Sequence, residues 1–301
     1  MTEAGITGGP AFLTTREVAL LLRVKERKVY DLAAAGEIPC RRVTGKLLFP
    51  RAEIEAWLAR GAVGGGGAAP RALPANIVAG SHDPLLDWAI RESGSGLAAY
   101  FDGSLDGLAR MASGEAAIAG LHVFEPARQD WNLEHVQEAL GSAPVVLVEW
   151  ARRQQGLLLR RELAEEVTSV ADLAGRRVVR RQAAAGAGLL LDHLLAEAGV
   201  SAQAVDFVTG LARTETEAAA AVASGQAEAA PGLAAMARQF GLAFLPTVVE
   251  RFDLAVERHA WFEPPFQRLL AFCATPAFAA KAAELGGYDL AGHGRVVWNA
   301  P

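Results

Sequence analysis

A run of small residues divides this chain into two parts that differ in length and charge. Residues 61–70 read GAVGGGGAAP and offer no side chains from which a core can form. The 60 residues before this run carry ten Lys and Arg against seven Asp and Glu, whereas the rest carries 19 against 27. We therefore predict a basic head at 11–60, a flexible linker at 61–75 and an acidic body at 76–301, with only the head suited to meet phosphate.

The composition is that of a globular protein. Hydrophobic residues make up 51% and charged residues 21% of the 301 positions, and no apolar run reaches the roughly 18 residues of a membrane span. The first residues lack the pattern of a secretory signal. Cys40 and Cys273 lie far apart and make no metal-ligand spacing. We expect a cytoplasmic protein with no metal, no cofactor and no membrane partner.

The head carries the signals of two short helices, a hairpin and a third helix. Thr14 or Thr15 can cap the first helix, and Glu17 lies where it completes a capping box. A second helix is predicted over about 26–35, and a third opens at Pro50 after the hairpin. This order of elements is typical of a winged helix-turn-helix.

Basic side chains concentrate on the second helix and on the hairpin. In a winged helix-turn-helix the second helix enters the major groove, and the hairpin, or wing, contacts flanking phosphates. The alternative is a solvated basic face with no partner, which is what most charge runs are. The order of elements favours DNA binding. The predicted contact residues are Lys25, Arg27, Lys28 and Tyr30 on the helix, and Arg41, Arg42 and Lys46 on the wing.

Four stretches of the head form a recognisable pattern: LTTREVA at 13–19, VY at 29–30, GEIP at 36–39 and IEAWL at 54–58. This pattern resembles the excisionase/MerR-like winged helix family. Arg23 departs from the family, which commonly has glycine there. We expect the turn to accept arginine in the right-handed helical region.

In the body, short strand-like runs alternate with longer helical stretches rich in alanine and leucine. This alternation predicts an α/β fold with a parallel sheet and helices on both faces. The predicted strands are 77–79, 117–119, 145–148, 156–159 and 177–179, and the main helices begin near residues 84, 105, 133, 188, 215 and 234.

Three loops of the body place small polar residues or bare backbone at the start of a helix. They are GSHD at 80–83, DGSLDG at 102–107 and RRQAAAGAG at 180–188. Free backbone N–H groups at a helix N-terminus favour an anion. Any one loop alone is more often an ordinary capped helix. Together they predict a cleft that holds a small oxyanion.

The body also resembles the type II periplasmic-binding-protein-like domains of helix-turn-helix regulators, which are related to molybdate- and tungstate-binding proteins. The resemblance implies two lobes, about 76–150 with 250–301 and about 151–249, joined by crossover strands near 148–155 and 246–254. It rests on SHDP at 81–84, GSLDGLA at 103–109, IAGLH at 118–122, RQQGL at 153–157, RQ at 181–182, LLD at 190–192 and ERFDL at 250–254.

The same resemblance implies that ligand lies between the lobes, with molybdate or tungstate as the first candidates. After its Arg-Gln pair this family tends to carry hydroxyl and arginine side chains, whereas here the loop is AAAGAG. A different, less charged ligand, such as an organic anion, therefore stays open. The predicted ligand contacts are Ser81, His82, Ser104, Arg181, Gln182, Ala183 and Gly186. Ser81 and Ser104 can also be simple helix caps, and Arg181 can serve an ion pair.

The sequence contains no GxSxG, HExxH, Walker or GxGxxG signature in a suitable context. The leading hypothesis is a non-enzymatic, ligand-responsive DNA-binding transcriptional regulator that works by lobe closure. We expect a homodimer, since one small winged helix makes few base contacts. The alternative is an enzyme or cofactor-handling protein of molybdenum metabolism whose winged helix docks a protein.

Overall fold

In the computed structural model the chain divides into two units with separate cores, Met1–Ala72 and Leu73–Pro301. The structure describes residues 12–43, 46–60 and 75–300. The predicted linker, apart from Ala75, and the wing's turn at Thr44-Gly45 lie outside the described residues. The two units are described in turn.

The head consists of a three-stranded antiparallel sheet and three helices. The strand order is β1-β3-β2, and β2 and β3 form the predicted wing. The elements are β1 Phe12–Thr14, α1 Thr15–Leu22, α2 Glu26–Ala34, β2 Arg41–Val43, β3 Lys46–Pro50 and α3 Arg51–Arg60.

The first helix of the head begins as its sequence predicts. Thr14 is the N-cap of α1: its hydroxyl accepts from the backbone N–H of Glu17, and the Glu17 carboxylate accepts from the backbone N–H of Thr14. This reciprocal pair is a capping box. The helices close over a small core of buried apolar side chains: Leu13, Val18, Ala19, Val29, Ile38, Phe49 and Ile54.

The turn between α1 and α2 corrects one expectation. Arg23 has φ 53° and ψ 40°, in the left-handed region, rather than the right-handed conformation expected for it. The backbone N–H of Arg23 bonds the carbonyl of Leu20, and that of Val24 bonds the carbonyl of Ala19. These bonds end α1 in the way that is usual for a left-handed glycine. The family's glycine is therefore suited to this left-handed conformation, which Arg23 adopts at a cost of about 1 kcal/mol.

The body contains nine α-helices and twelve strands within its described residues, and three short 3₁₀ turns. No helix in those ranges is long and apolar enough to cross a membrane. The helices are α4 Pro84–Glu92, α5 Ser104–Ser113, α6 Leu133–Leu140, α7 Gly186–Glu197, α8 Glu215–Ala223, α9 Ala234–Phe240, α10 Arg258–Phe262, α11 Pro264–Cys273 and α12 Pro276–Leu285. The strands are β4 Ile77–Gly80, β5 Ala98–Phe101, β6 Ile118–Leu121, β7 Phe124–Glu125, β8 Asp130–Trp131, β9 Val145–Leu159, β10 Arg177–Arg181, β11 Asp206–Ala212, β12 Ala229–Leu233, β13 Ala243–Glu257, β14 Tyr288–Asp289 and β15 Val296–Asn299.

One mixed sheet runs through both lobes in the order β11-β10-β12-β9-β13-β6-β4-β5. Strands β4, β5 and β6 are mutually parallel in the first lobe, and β10 is parallel to β11 and β12 in the second. The long strands β9 and β13 pair antiparallel with each other along most of their length. They are shared by the two lobes, so the predicted α/β fold with two crossover strands is the one observed.

The first crossover strand corrects the predicted strand list. Residues 145–148 and 156–159 are the two ends of a single 15-residue strand, β9. The sequence between them, EWARRQQ, carries five charged or amide side chains and so does not read as a strand interior. Three of the five, Glu149, Arg153 and Gln155, are buried. Arg153 and Glu149 have partners in distant parts of the chain, whereas Oε1 of Gln155 accepts from the neighbouring backbone N–H of Gly156.

Each lobe packs apolar side chains on both faces of its part of the sheet. Successive residues of one strand belong to different cores: Val78 joins Trp150, Phe252 and Phe266, whereas Ala79 joins the core of α5 and α6. This alternation is what a strand buried on both sides requires. The second lobe has two corresponding cores, one around α8 and α9 and one around α7.

Gly80, at the end of β4, holds the first lobe's loops in close contact. It has φ +99°, and a Cβ there would lie 2.3 Å from the carbonyl oxygen of Gly120. The backbone of Gly80 in turn approaches Gly107, where an added Cβ would lie 2.5 Å from the Gly80 Cα. Only glycine lets β4, β6 and α5 meet this closely.

We predict that Gly80→Ala lowers the free energy of unfolding by on the order of 3 kcal/mol, because it combines a strained φ with a backbone collision. Gly94→Ala is the matched control: Gly94 also has positive φ (+58°), but nothing lies within 4 Å of its added Cβ. It should lose only about 1 kcal/mol. Urea unfolding followed by tryptophan fluorescence measures both, and equal losses would contradict this packing.

Candidate functional site

The three predicted loops of the body converge on one buried point, which we call the nook. Ser81 Oγ and Ser104 Oγ lie 2.9 Å apart in hydrogen-bond contact. The backbone N–H of His122 donates to Ser104 Oγ at 3.2 Å, and the backbone N–H of Ser81 donates to the carbonyl of Gly120. The ends of β4 and β6 and the start of α5 thus meet here.

The third loop reaches the nook from the other lobe. The backbone N–H of Leu105 donates to the carbonyl of Ala184 at 3.1 Å. Gly186, the first residue of α7, packs so tightly that an added Cβ would lie 2.4 Å from the carbonyl oxygen of His122. Glycine at 186 is therefore required for the close approach of the two lobes.

Further contacts close the lobes around the nook. Arg213 pairs with Asp102 at 3.3 Å, and the rings of Phe124 and His193 lie 5.2 Å apart. Ser81 is 3% exposed and Ser104 is 0% exposed. A solute can reach these hydroxyls only if the lobes separate.

A buried arginine ties the nook's loops to both crossover strands. Arg153, on β9, is 1% exposed and lies between the carboxylates of Asp83 (2.9 Å) and Glu250, on β13. Glu250 also contacts Nδ1 of His122 at 2.8 Å. The guanidinium stacks 4.2 Å from the ring centroid of Phe252. A continuous polar chain thus runs from Ser104 through both strands to the first loop.

Asp83 lies at the other end of this network of polar contacts, and it has four hydrogen-bond partners. It caps α4 by accepting from the backbone N–H of Leu86, and it accepts from Trp150 Nε1 and from the hydroxyl of Tyr288 as well as from Arg153. Burial, and then the negative charge of Asp83, raises the pKa of Tyr288, which stays a donor.

The charged side chains of this polar network stabilise one another. Burial acts to lower the pKa of Arg153, but the carboxylates of Glu250 and Asp83 outweigh it and raise that pKa. Burial acts to raise the pKa of Glu250, but Arg153 and His122 outweigh it and lower that pKa. Both groups are therefore charged at neutral pH, and each depends on the other for its charge to be tolerated.

Arg181 is paired within its own lobe. Its Nη1 donates to Glu215 Oε1 at 2.8 Å, and both side chains are buried. Glu215 is the first residue of α8. Of the two roles that the sequence leaves open for Arg181, the structure shows an ion pair.

The remaining predicted ligand contacts lie at the edge of the nook. His82 is buried against Phe101, and burial lowers the pKa of its imidazole, opposed by Glu215 across the cleft. Gln182 Nε2 donates to the carbonyl of Arg213, and the side chain of Ala183 is exposed. The side chains of Gln182 and Ala183 therefore point away from the nook, unlike those of Ser81 and Ser104.

The other acids of the crossover strands have their own partners. Glu149 pairs with Arg152 and Arg295. Asp253 accepts from Asn132 and Arg251, yet burial outweighs these contacts and raises its pKa to about 6. Within the described ranges, no group of three His, Cys, Asp or Glu side chains is arranged to hold a metal ion.

The predicted contacts do not include the buried network of Asp83, His122, Arg153 and Glu250, nor Glu215 and Tyr288. Glu215 follows Thr214, the N-cap of α8. A polar residue at the start of a helix is also the signal that identified the other loops. Tyr288 contacts Asp83 from about 200 residues away, and no local pattern reports such a contact.

In the head, predicted DNA contacts from three elements line one surface groove of about 490 Å³. Tyr30 of α2, Arg42 of β2 and Lys46 of β3 lie along it, together with Arg16 of α1, which was not predicted. Lys25, Arg27 and Lys28 are exposed at the start of α2. Arg41 pairs with Glu53 at 2.6 Å on the surface, and a phosphate would have to compete with that carboxylate.

We predict that Arg153→Met lowers the free energy of unfolding by about 3–5 kcal/mol, because it leaves two buried carboxylates without their shared cation. Arg152→Met is the matched control, since that side chain is half-exposed and Glu149 keeps Arg295. It should cost less than about 1 kcal/mol. Denaturant unfolding of both variants measures the difference, and similar losses would show that the Arg153 network is not stabilising.

Two family models match this architecture. A helix-turn-helix domain matches residues 12–62, and the PBP superfamily domain matches residues 87–274. A full-length relative is the uncharacterized protein YvgK of Bacillus subtilis (strain 168), 26% identical over 303 residues, with 94% of this chain and 97% of YvgK covered.

Solved structures that are similar to this chain include the following three. One is a histidine kinase sensor domain with similarity to periplasmic binding proteins (16% identity, 70% of this chain and 96% of that chain, TM-score 0.44). Another is a putative phosphate ABC transporter substrate-binding protein from Clostridium perfringens with bound phosphate (13%, 69% and 96%, TM-score 0.48). A third is the regulatory domain of a LysR family regulator from N. meningitidis (12%, 71% and 97%, TM-score 0.47). Since the PBP model covers more than half of its residues, the chain belongs to the PBP superfamily.

Proposed function

We propose that this protein is a DNA-binding transcriptional regulator whose body binds a small ligand, through an anionic group, between its two lobes. A helix-turn-helix domain joined to a PBP domain is the domain composition of a ligand-sensing DNA-binding regulator. The observation that carries the ligand proposal is the nook itself. Ser81, Ser104 and the start of α7, from three separate loops and both lobes, meet at one buried point.

The nook offers hydrogen-bond donors of the kind that an anion needs. Ser81 and Ser104 have two hydroxyl hydrogens but one mutual contact, so one hydrogen remains for a ligand oxygen. The first N–H groups of α5 and α7 have no acceptor within their own helices, and both helices begin here. The N–H of Leu105 on α5 donates to the carbonyl of Ala184 in the closed form, and separation of the lobes frees it. Donors and helix N-termini of this kind hold anions without a positively charged side chain.

Closure of the lobes supplies the response. Because the hydroxyls are buried under contacts between the lobes, an open form must exist for a ligand to bind. A ligand that bridges Ser104 and α7 stabilises the closed form and shifts the population toward it. We propose that the head binds its DNA site with one affinity when the body is open and with another when the body is closed.

Two ligand classes are consistent with the nook. Molybdate or tungstate is proposed because of the resemblance that the three loops carry. An organic anion is the second candidate, and the adjoining groove of about 570 Å³ favours it, since a bare oxyanion would leave most of that space unused.

We predict that molybdate or tungstate gives a binding heat in calorimetry and that sulfate binds differently from both. Ser81→Ala and Ser104→Ala should each weaken this binding about tenfold, the typical loss for one hydrogen bond to a charged ligand. Ser113→Ala, an exposed position at the end of α5, is the control. No heat from any of the three anions would overturn the bare-oxyanion candidate.

We predict that the double variant Arg27→Ala, Lys28→Ala binds DNA from upstream of its own gene at least about tenfold more weakly and with a smaller salt dependence. Both side chains are exposed on α2. Arg268→Ala, on the exposed surface of the body, is the charge control. Fluorescence anisotropy measures the affinities, and an unchanged affinity would show that α2 does not meet DNA.

A further inference from the structure

Near the nook, buried hydrogen-bond donors and acceptors have no protein partner. Such atoms of the described residues include the donors Nε of Arg181 and Nε2 of Gln155 and the acceptor Oε2 of Glu215. All three side chains are nine-tenths or more buried. An unpartnered buried polar atom is costly, and such atoms are usually satisfied by a ligand or by water.

Two of these atoms, on Arg181 and Glu215, lie close together. Glu215 and Arg181 are in direct contact, and Glu215 is the carboxylate that acts most strongly on His82 across the cleft. His82 follows Ser81 in the chain, and Ser81 is part of the nook. The carboxylate of Glu215 therefore lies on the second lobe, near the loop that holds one of the nook's hydroxyls.

The groove of about 570 Å³ opens beside the same residues. His82 and Thr216 line it, and they are the chain neighbours of Ser81 and Glu215. Its far wall is formed by α4, α9 and α12, with Trp88, Met236 and Lys281. A volume of this size suits an organic molecule of moderate size.

The charges of the cleft argue against a ligand with a large net negative charge. Glu215 neutralises Arg181, and Asp83 and Glu250 together outweigh Arg153. These residues present no surplus of positive charge. A buried dianion would rest on hydroxyls and backbone alone and would lie close to the Glu215 carboxylate, whereas a ligand with no net charge avoids that cost.

We propose that the ligand is a small zwitterion, which places its anionic group in the nook and its ammonium group on Glu215, with its remaining atoms in the groove. The proposal rests on the proposed function and names its ligand class. Arg181 positions the Glu215 carboxylate through Oε1 and leaves Oε2 to receive the ammonium. Bare oxyanions bind the nook alone, and so bind less tightly.

The test uses the full chain, titrated in calorimetry with each proteinogenic L-amino acid in turn and with molybdate and tungstate. At least one amino acid should bind more tightly than either oxyanion. Its deamino analogue, which keeps the carboxylate and lacks the ammonium, should bind at least about tenfold more weakly. Failure of every amino acid to bind, or equal binding of the deamino analogue, overturns the proposal without requiring any variant to fold.

Glu215→Gln separates the two ligand classes by the sign of its effect. It removes the negative charge and weakens the hold on Arg181, so it should weaken zwitterion binding at least about tenfold and strengthen oxyanion binding. The control Glu138→Gln, at an exposed position on α6, should change neither zwitterion binding nor oxyanion binding. A Glu215→Gln protein that binds the amino acid as well as before overturns the proposal. DNA binding by the head does not depend on this outcome, so it tests the regulator proposal separately.

Discussion

The body depends on one buried cation, the guanidinium of Arg153. It lies on one crossover strand, pairs with Glu250 on the other and with Asp83 at the start of α4, and covers the ring of Phe252. Taking these charges out of water costs several kcal/mol each, and only the complete set of contacts offsets that cost. The network therefore fixes the relative positions of both crossover strands and the first binding loop.

This arrangement explains how the nook can be both ordered and able to open. The polar chain from Arg153 through Glu250 and His122 to Ser104 lies on the first lobe and the shared strands. By contrast, the contacts that close the cleft include one exposed ion pair and local packing: Leu105 with Ala184, Gly186 with His122, Asp102 with Arg213, and Phe124 with His193. The lobe separation that we propose would break these weak contacts and leave the Arg153 network intact, so the first lobe would present the same hydroxyls in either form.

Much of the fold follows from local sequence signals. The capping box of Thr14 and Glu17 is read directly from residue types at fixed spacing. The convergence of the three loops on a cleft was a hypothesis from their shared position at helix starts and from the family resemblance. The interior of β9 was expected only from the family resemblance and not from its residue pattern, because its charged residues look solvent-exposed until their partners Asp83, Glu250 and Arg295 are known. The left-handed conformation of Arg23 was missed for a related reason: the family's glycine signals it, but arginine does not.

In the candidate site, too, some residues could be predicted from local sequence and others could not. Ser81, Ser104 and Gly186 could be found from loop chemistry, since each stands at or near a helix start. The pairing of Arg181 with Glu215 could not, because it joins the end of β10 to the start of α8 across 34 positions. That pairing changes the expected ligand chemistry, since it neutralises the one arginine that sequence reasoning offered to an anion.

The central claim is that a small molecule binds between the lobes at Ser81, Ser104 and the start of α7. The most direct measurement is a crystal structure of the full-length protein, purified from its own cells with the ligand they supply. The account predicts a bound molecule with an oxygen in contact with both serine hydroxyls and the N-terminus of α7. A ligand bound elsewhere, with the two hydroxyls in contact only with each other, would contradict it.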